Sequence, residues 1–160
     1  MDKISLDRIQ LAHPKVRAEL TAILEQAEKA LTGEWKPRLT WTLRTFQEQN
    51  DLFAQGRTRP GRVVTWARGG DSWHNYGLAV DICLVHISGK MVSFDSVADF
   101  DKDGVADWIE VVKIFKSFGW EWGGDWAKPK TDLPHFQKTF GLSIAQAKAK
   151  ITPKQDYISI

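Results

Sequence analysis

The chain has 160 residues, of which 42% are hydrophobic and 11% aromatic, and this length predicts one compact domain over residues 1–160 with its own core. Lys and Arg number 22 against 20 Asp and Glu, a balance too even to indicate a nucleic-acid-binding protein. The single cysteine, Cys83, excludes an internal disulfide framework, and its apolar neighbours predict a buried thiol.

The first third of the chain begins with a charged segment. Residues 1–15 carry charges throughout and have no continuous apolar stretch, so we expect no secretory signal peptide and synthesis in the cytoplasm. No later segment is long enough to span a membrane, so membrane insertion is not expected. Apolar residues at helical spacing predict an amphipathic helix over residues 14–31, with Gly33 just beyond its end.

A strand, a capped helix and a loop are predicted next. Residues 38–44, RLTWTLR, have the composition of a strand. Thr45 and Glu48 form a capping-box pattern that predicts the start of a second helix, which ends at Gly56. Residues 57–72 are rich in Gly, Pro and Arg and predict a long loop, which in a compact domain is usually functional or disordered.

The remainder of the chain alternates predicted strands with two further helices. Strands are predicted at residues 78–85, 120–122 and 135–137, and HISGKMV after the first of them predicts a hairpin turn. Apolar spacing predicts a helix over residues 105–118, and a last helix begins at Ser143. Helices followed by paired strands predict an α+β domain, with helices packed on a small, mainly antiparallel sheet.

Two of the four histidines stand beside predicted strands. His74 lies in SWHNYGLAVDICL, which leads into an apolar strand carrying Asp81, and His135 lies in DLPHFQ. A carboxylate in a buried strand is costly unless a cation meets it. Two imidazoles and one carboxylate are typical of catalytic zinc, with a fourth position open for water. The spacing of His74 and Asp81 matches no helical ligand pair, so a polar core network is the alternative.

Several separated motifs carry a family resemblance. The pattern SxHxxGxAxD begins at Ser72, and WGGDW and DLPHFQ follow at residues 122–126 and 132–137. Together with TLRTFQEQNDLFAQGRTRPGRVVTWARGG, they resemble the D-alanyl-D-alanine carboxypeptidase and L-alanyl-D-glutamate endopeptidase family of zinc peptidases. The endopeptidase branch, which includes wall-lytic bacterial enzymes and phage endolysins, is the most similar. The resemblance covers about residues 38–147 and implies the hedgehog and D-Ala-D-Ala-peptidase type of fold.

The resemblance implies a metal-dependent mechanism. It makes His74, Asp81 and His135 the ligands of a zinc ion. It makes Asp132 the catalytic base, which accepts a proton from a water whose pKa zinc lowers to about 7 and passes it to the leaving amine. Without the resemblance, Asp132 would be interpreted as a turn residue before Leu-Pro.

Three further residues are assigned to substrate binding. Arg44 matches the arginine of the family motif R-[ST]-x-x-x-Q, and its planar guanidinium suits a substrate carboxylate or a developing oxyanion. A surface ion pair is the alternative for Arg44. Gln49, at the last position of the motif, and Ser72 are also assigned to substrate binding. The alternative for Gln49 is a structural role on a helix face, and for Ser72 a role in shaping the loop.

Residues 99–110, DFDKDGVADWIE, contain an independent metal-binding pattern. Three acidic residues alternate before Gly104 and two more follow at loop positions nine and twelve: Asp99, Asp101, Asp103, Asp107 and Glu110. In this calcium-loop pattern, hard oxygen ligands converge around Ca²⁺. The alternative is an acidic turn that caps the following helix. The lack of a preceding apolar helix, and Ala106 at position eight, weaken the case for a paired EF-hand.

Three tryptophans lie in or beside the motifs that carry the family resemblance. Trp73, Trp122 and Trp126 either line a substrate groove or fill the interior, as large aromatic side chains usually do. Trp108 lies on a predicted helix and is expected in the core.

We predict a monomeric zinc metallopeptidase that cuts peptidoglycan stem peptides between L-alanine and D-glutamate, without a separate wall-binding domain. The carboxypeptidase branch typically carries Glu at the position of Asp132 and Trp-His at Pro134 and His135, which favours the endopeptidase. A D-alanyl-D-alanine carboxypeptidase is the alternative. A non-catalytic, metal-dependent wall-binding module is an alternative of another class, and the presence of Asp132 with all three ligands argues against it.

The expected location follows from the substrate. Peptidoglycan lies outside the cytoplasmic membrane, yet no signal peptide is expected. We therefore expect a phage or prophage endolysin that is synthesised in the host cytoplasm, passes through a holin pore and acts in the periplasm or cell wall.

Overall fold

A computed structural model describes residues 1–160. The helices are α1 (Lys3–Leu11), α2 (Pro14–Ala30), α3 (Phe46–Ala54), α4 (Asp107–Ser117) and α5 (Ile144–Ala149). The strands are β1 (Trp35–Trp41), β2 (Ala79–His86), β3 (Val92–Ser93), β4 (Glu121–Trp122) and β5 (His135–Gln137). Short 3₁₀ turns form at Trp73–Tyr76 and Gly123–Asp125. None of the helices combines the length and the apolar character that crossing a membrane requires.

The sheet has the strand order β1-β2-β5-β4, and every pairing in it is antiparallel. The long strand β2 is central, since β1 pairs along one edge of it and both β5 and β3 pair along the other. This arrangement confirms the predicted α+β fold with a mainly antiparallel sheet.

The core lies between the sheet and the helices α1, α2 and α4. Helices α1 and α2 contact β1, and α2 also packs against α4. Trp108 and Cys83 are 0% and 2% exposed, so both are buried as predicted. The apolar residues of α2 recur at helical spacing, so they lie on one face of the helix and are all buried in this layer. They are Val16, Leu20, Ile23, Leu24 and Ala27.

Two parts of the fold differ from the sequence-based prediction. Helix α1 was not predicted, because its nine residues bury only Ser5 and Ile9 and so show little apolar periodicity. The strand predicted at residues 38–44 begins earlier, at Trp35, and ends at Trp41. A register shift lies between Leu39 and Trp41, and the pairing with β2 ends at the next pair, Trp41 with Asp81. The segment from 42 to 44 therefore leaves the sheet and reaches the site described below.

Helix α3 begins as its capping box predicts. The Thr45 hydroxyl accepts a hydrogen bond from the Glu48 backbone N–H, and the Glu48 carboxylate accepts one from the Thr45 N–H. The two bonds satisfy donors that a helix start otherwise leaves unpaired. This cap sets the position of Gln49, one helical residue further on.

Candidate metal centre and active site

Strand pairing places Asp81 beside His135. In the antiparallel pair of β2 and β5, Asp81 and His135 are direct register partners. Directly paired residues project to the same face of a sheet, with Cβ atoms about 5 Å apart. Hydrogen bonding between two strands that are far apart in sequence therefore brings Asp81 and His135 together.

The 3₁₀ turn at Trp73–Tyr76 supplies His74. The Ser72 hydroxyl accepts a hydrogen bond from the His74 N–H at the start of this turn. Gly77 ends it with φ of 67°, and a Cβ atom at Gly77 would lie 2.6 Å from the His13 backbone nitrogen. Only glycine fits this left-handed and crowded position, so Gly77 holds the turn, and with it His74, against the start of α2.

The three side chains meet at one carboxylate oxygen. His74 Nε2 and His135 Nδ1 each lie 3.2 Å from Asp81 Oδ1. The outer nitrogen of each ring donates elsewhere: His74 Nδ1 to the Thr42 carbonyl at 2.8 Å, and His135 Nε2 to Gln137 Oε1 at 2.9 Å. Since those nitrogens carry the protons of the neutral rings, the inner nitrogens direct lone pairs at Asp81.

These donors fit a metal ion. Two imidazole lone pairs and a carboxylate converge with no hydrogen atom between them, an arrangement that a cation at the centre stabilises. His74, Asp81 and His135 could hold a metal ion, because one ligand atom of each lies within 4.8 Å of the others. His74 and His135 are buried, which limits exchange of these ligands with water.

The charges at the centre are strongly coupled. Burial would raise the pKa of the Asp81 carboxyl, but the neighbouring His74 and His135 lower it well below its usual range. Burial would lower the pKa of His135, but the adjacent Asp81 carboxylate raises it above its usual value. Asp81 is therefore an anion at neutral pH, the form that binds a cation.

Arg44 lies next to this cluster. Its Nη2 is 3.8 Å from Asp81 Oδ2, and its Nη1 donates to Gln49 Oε1 at 2.8 Å. Its Nε is buried without a hydrogen-bond partner. Burial lowers the pKa of the guanidinium from its usual value, opposed by Asp81 and other nearby carboxylates. An incompletely paired, buried guanidinium can bind a substrate carboxylate or an oxyanion.

Gln49 lies behind Arg44 and is not among the residues that line the open space at this site. Its side chain is fully buried and bonds to Arg44, to the Thr65 hydroxyl and to the Ala67 carbonyl. The amide oxygen and the NH₂ group of Gln49 thus all have partners within the protein. These contacts favour the structural alternative, in which Gln49 fixes Arg44 and the loop that follows α3.

The cluster opens into a cavity of about 1070 Å³. Arg44, Ser72, Asp132 and the three clustered side chains all line it. Burial, followed by repulsion from Asp81, raises the pKa of the Asp132 carboxyl above its usual value. A carboxylate with a raised pKa is a better proton acceptor. The predicted loop of residues 57–72 supplies one wall, including the exposed Val64 and Trp66.

The flanking tryptophans have different positions. Trp73 and Trp126 line the cavity, and the Trp126 ring lies 5.1 Å from the His135 ring. Trp122 does not line it and instead donates its indole N–H to the Leu133 carbonyl. The groove interpretation thus fits two of the three tryptophans.

The acidic residues of the 99–110 segment lie apart from this cavity. Their carboxylates form two groups that share one member, namely Asp99, Asp101 and Asp107, and Asp101, Asp103 and Glu110. None of the five lines the cavity.

Sequence reasoning missed the residues that orient the two imidazoles. Gln137 Oε1 accepts a hydrogen bond from His135 Nε2, and Gln137 Nε2 donates one to Glu121 Oε2 at 3.1 Å. Its position two residues after His135 was a usable signal, because residues i and i+2 of a strand share a face. Thr42 offers a backbone carbonyl, which no side-chain pattern reveals.

Comparisons with known proteins agree with this geometry. Residues 66–138 match the sequence model of a family described as D-alanyl-D-alanine carboxypeptidase. The peptidoglycan L-alanyl-D-glutamate endopeptidase CwlK of Bacillus subtilis (strain 168) is 48% identical over 99 residues, which are 62% of this chain and 58% of that protein. The chain thus matches less than two thirds of the length of this curated relative.

A solved structure shows the same fold. The L-Ala D-Glu endopeptidase ChiX of Serratia marcescens superposes with a TM-score of 0.56 at 22% sequence identity, over 88% of this chain and 90% of that chain. The matched sequence region contains all three clustered residues and Asp132. Over residues 66–138 the chain is thus similar to the family described as D-alanyl-D-alanine carboxypeptidase, and its fold is similar to that of ChiX.

Proposed function

We propose that this chain is a zinc metallopeptidase that cuts peptidoglycan stem peptides between L-alanine and D-glutamate. One observation carries the proposal: a centre of two imidazole nitrogens and one carboxylate opens, beside Arg44 and Asp132, into a cavity large enough for a peptide. Two nitrogens and one oxygen suit a borderline metal such as zinc.

His74, Asp81 and His135 would hold the zinc ion. When bound, zinc supplies Lewis-acid chemistry, since it polarises an amide carbonyl and acidifies water. Asp132 accepts a proton from the attacking water on a carboxylate oxygen and delivers it to the nitrogen of the leaving amine. Arg44, fixed by Gln49, pairs with a carboxylate of the substrate or with the developing oxyanion.

The choice of bond has two supports. CwlK and ChiX are both named as L-alanyl-D-glutamate endopeptidases. D-glutamate also brings a carboxylate that the Arg44 guanidinium can pair with. The family description names a D-alanyl-D-alanine carboxypeptidase, which is therefore the second candidate.

Mass spectrometry of purified muropeptides after digestion tests the bond. The proposal expects products with a new N-terminal D-glutamate. Release of free D-alanine without such products would instead establish the carboxypeptidase.

Substitution of the proposed base tests the mechanism. Asp132→Asn should lower the rate of muropeptide hydrolysis at least a hundredfold, since general bases contribute about 10²–10⁴. It should leave one equivalent of zinc bound, because the three ligands are untouched. Asp156→Asn, at an exposed position near the C-terminus, is the matched control and should retain the full rate. Full activity of Asp132→Asn would contradict the role, and wall binding without hydrolysis in the unaltered protein would establish a binding module.

We also propose that the setting is lysis by a phage or prophage endolysin, working as a monomer on peptidoglycan in the periplasm or cell wall after holin-mediated release. The motif resemblance to a branch that includes phage endolysins supports this setting. The even charge balance of 22 basic and 20 acidic residues supports a peptide substrate over nucleic acid. Lysis of cells only when a holin is co-expressed tests the release route, and size-exclusion chromatography tests the monomer.

A further inference from the structure

Five carboxylates gather around the N-terminus of α4 without any counter-charge. They belong to Asp99, Asp101, Asp103, Asp107 and Glu110. None of them forms an ion pair with a lysine, arginine or histidine. Such a concentration of like charge is unfavourable unless a cation joins it.

Two oxygens of this cluster are buried and unpaired. The Asp107 side chain is 0% exposed, and its Oδ1 accepts a hydrogen bond from the Phe100 N–H at 2.7 Å while its Oδ2 has no partner. Glu110 Oε2 is likewise buried without a partner. A buried carboxylate oxygen left without a partner is unfavourable, because it has lost its hydration without a replacement hydrogen bond or cation. These two oxygens therefore need a ligand that the chain does not supply.

The distances within the cluster suit a cation bound at Asp101. Asp101 belongs to both groups of three, and the ligand atoms within each group lie within 4.8 Å of one another. Two oxygens bound to the same Ca²⁺ are at most about 5 Å apart, because each bond is roughly 2.3–2.6 Å long. Each group of three therefore meets the distance limit for a shared ion, and Asp101 belongs to both groups.

The loop backbone already holds these side chains in place. Asp99 Oδ2 accepts from the Gly104 N–H at 2.9 Å, and Asp103 Oδ1 accepts from the Val105 N–H at 2.8 Å. Asp101 Oδ2 accepts from the Thr32 N–H at 2.9 Å, which ties the loop to the turn between α2 and β1. Because each carboxylate oxygen has more than one lone pair, these bonds leave capacity for a cation.

We propose that residues 99–110 form a calcium site that stabilises the fold. All donors are oxygens, which favours a hard cation over the zinc suited to the His-containing centre. Five protein carboxylates suit the large coordination shell of Ca²⁺, whereas Mg²⁺ usually keeps several waters and binds one or two carboxylates. The ion joins α4, the loop and the α2–β1 turn, away from the cavity in which the proposed hydrolysis occurs.

Calcium titration of the zinc-loaded protein tests the site. Isothermal titration calorimetry should show one equivalent of Ca²⁺ bound. At about a hundred times the Kd, the melting temperature should rise by roughly 5–10 °C, while an equal concentration of Mg²⁺ should give a smaller rise. No heat and no rise with Ca²⁺ up to millimolar concentration, or an equal rise with Mg²⁺, would overturn the proposal.

Substitutions locate the ion. Glu110→Gln should weaken Ca²⁺ binding at least tenfold, whereas Glu25→Gln, on the exposed face of α2, should bind as the unaltered protein does. Asp103→Asn is the second variant, because an asparagine oxygen still accepts the Val105 N–H. Unchanged Ca²⁺ affinity in both Glu110→Gln and Asp103→Asn would overturn the site. These readouts do not involve peptide hydrolysis, so they stand apart from the test of the proposed function.

Discussion

At the scale of single residues, the metal centre depends on partners outside it. The Thr42 carbonyl and Gln137 Oε1 each accept a hydrogen bond from one imidazole, which directs the opposite ring nitrogen toward Asp81. Such outer partners typically account for 10- to 100-fold in metal affinity. Gln137 is also linked to Glu121 across the pairing of β4 and β5, so its orientation depends on the edge of the sheet.

We expect Gln137→Ala to lower zinc affinity 10- to 100-fold, because His135 loses the acceptor that fixes its tautomer and ring orientation. Competition titration with a chelating dye measures the affinity. Gln26→Ala, at an exposed position on α2, is the control and should bind zinc normally. Equal affinity in the Gln137 and Gln26 variants would show that Gln137 does not orient the ligand.

At the scale of elements, the 3₁₀ turn that carries His74 is set by one glycine. Gly77 and Gly89 both have positive φ, at 67° and 71°. A Cβ atom at Gly77 would meet the His13 nitrogen at 2.6 Å, whereas nothing lies within 4 Å of one at Gly89. An alanine at either position would therefore adopt an unfavourable left-handed backbone, but only at Gly77 would its methyl group also clash with a neighbouring atom.

Denaturant unfolding of two alanine variants separates these costs. Gly89→Ala should lower the free energy of unfolding by about 1–2 kcal/mol, which is the cost of a left-handed backbone conformation for an L-residue. For Gly77→Ala the free energy of unfolding should fall by about 2 kcal/mol more, because the start of α2 must shift to make room for the added methyl group. Overpacking of this kind typically costs about 1–3 kcal/mol. Similar losses in the two variants would contradict the close contact with His13.

At the scale of the whole molecule, a nearly even overall charge hides a local excess of negative charge at the start of α4. Burial, and then repulsion from four nearby aspartates, raises the pKa of Glu110 to about 7 from 4.5. A group whose pKa is higher in the folded state contributes stability below its unfolded pKa, and that contribution is lost as pH rises through the folded value. The calcium-free fold should therefore lose the contribution of Glu110 between about pH 4.5 and pH 7.

Unfolding of the metal-free protein across this range tests the pH dependence. Glutamine resembles protonated glutamate, so Glu110→Gln should match the unaltered protein near pH 4.5 and exceed its stability above pH 7. Glu25→Gln should show no such change with pH. A constant difference between Glu110→Gln and the unaltered protein would contradict the raised pKa.

Much of the fold follows from local patterns in the sequence. The Thr45 capping box, the apolar spacing of α2 and the strand that carries Asp81 can all be predicted because each depends on residues close together in the chain. Helix α1 was not predicted because it buries only two of its residues and so shows little apolar periodicity. The end of β1 escaped prediction because the register shift at Leu39 depends on its pairing with β2.

The sequence by itself determined which chemical groups are present: two histidines and an aspartate in recognisable motifs, a further carboxylate before His135, and an acidic loop with calcium-loop spacing. Only the tertiary structure decided how these groups meet. It set His135 against Asp81 through a strand pairing of residues 54 positions apart, buried Gln49 behind Arg44, and left Asp107 and Glu110 with unpaired oxygens. The physical reason is that spacing along the chain is local, whereas strand register, burial and the protonated nitrogen of each imidazole depend on neighbours that only folding brings together.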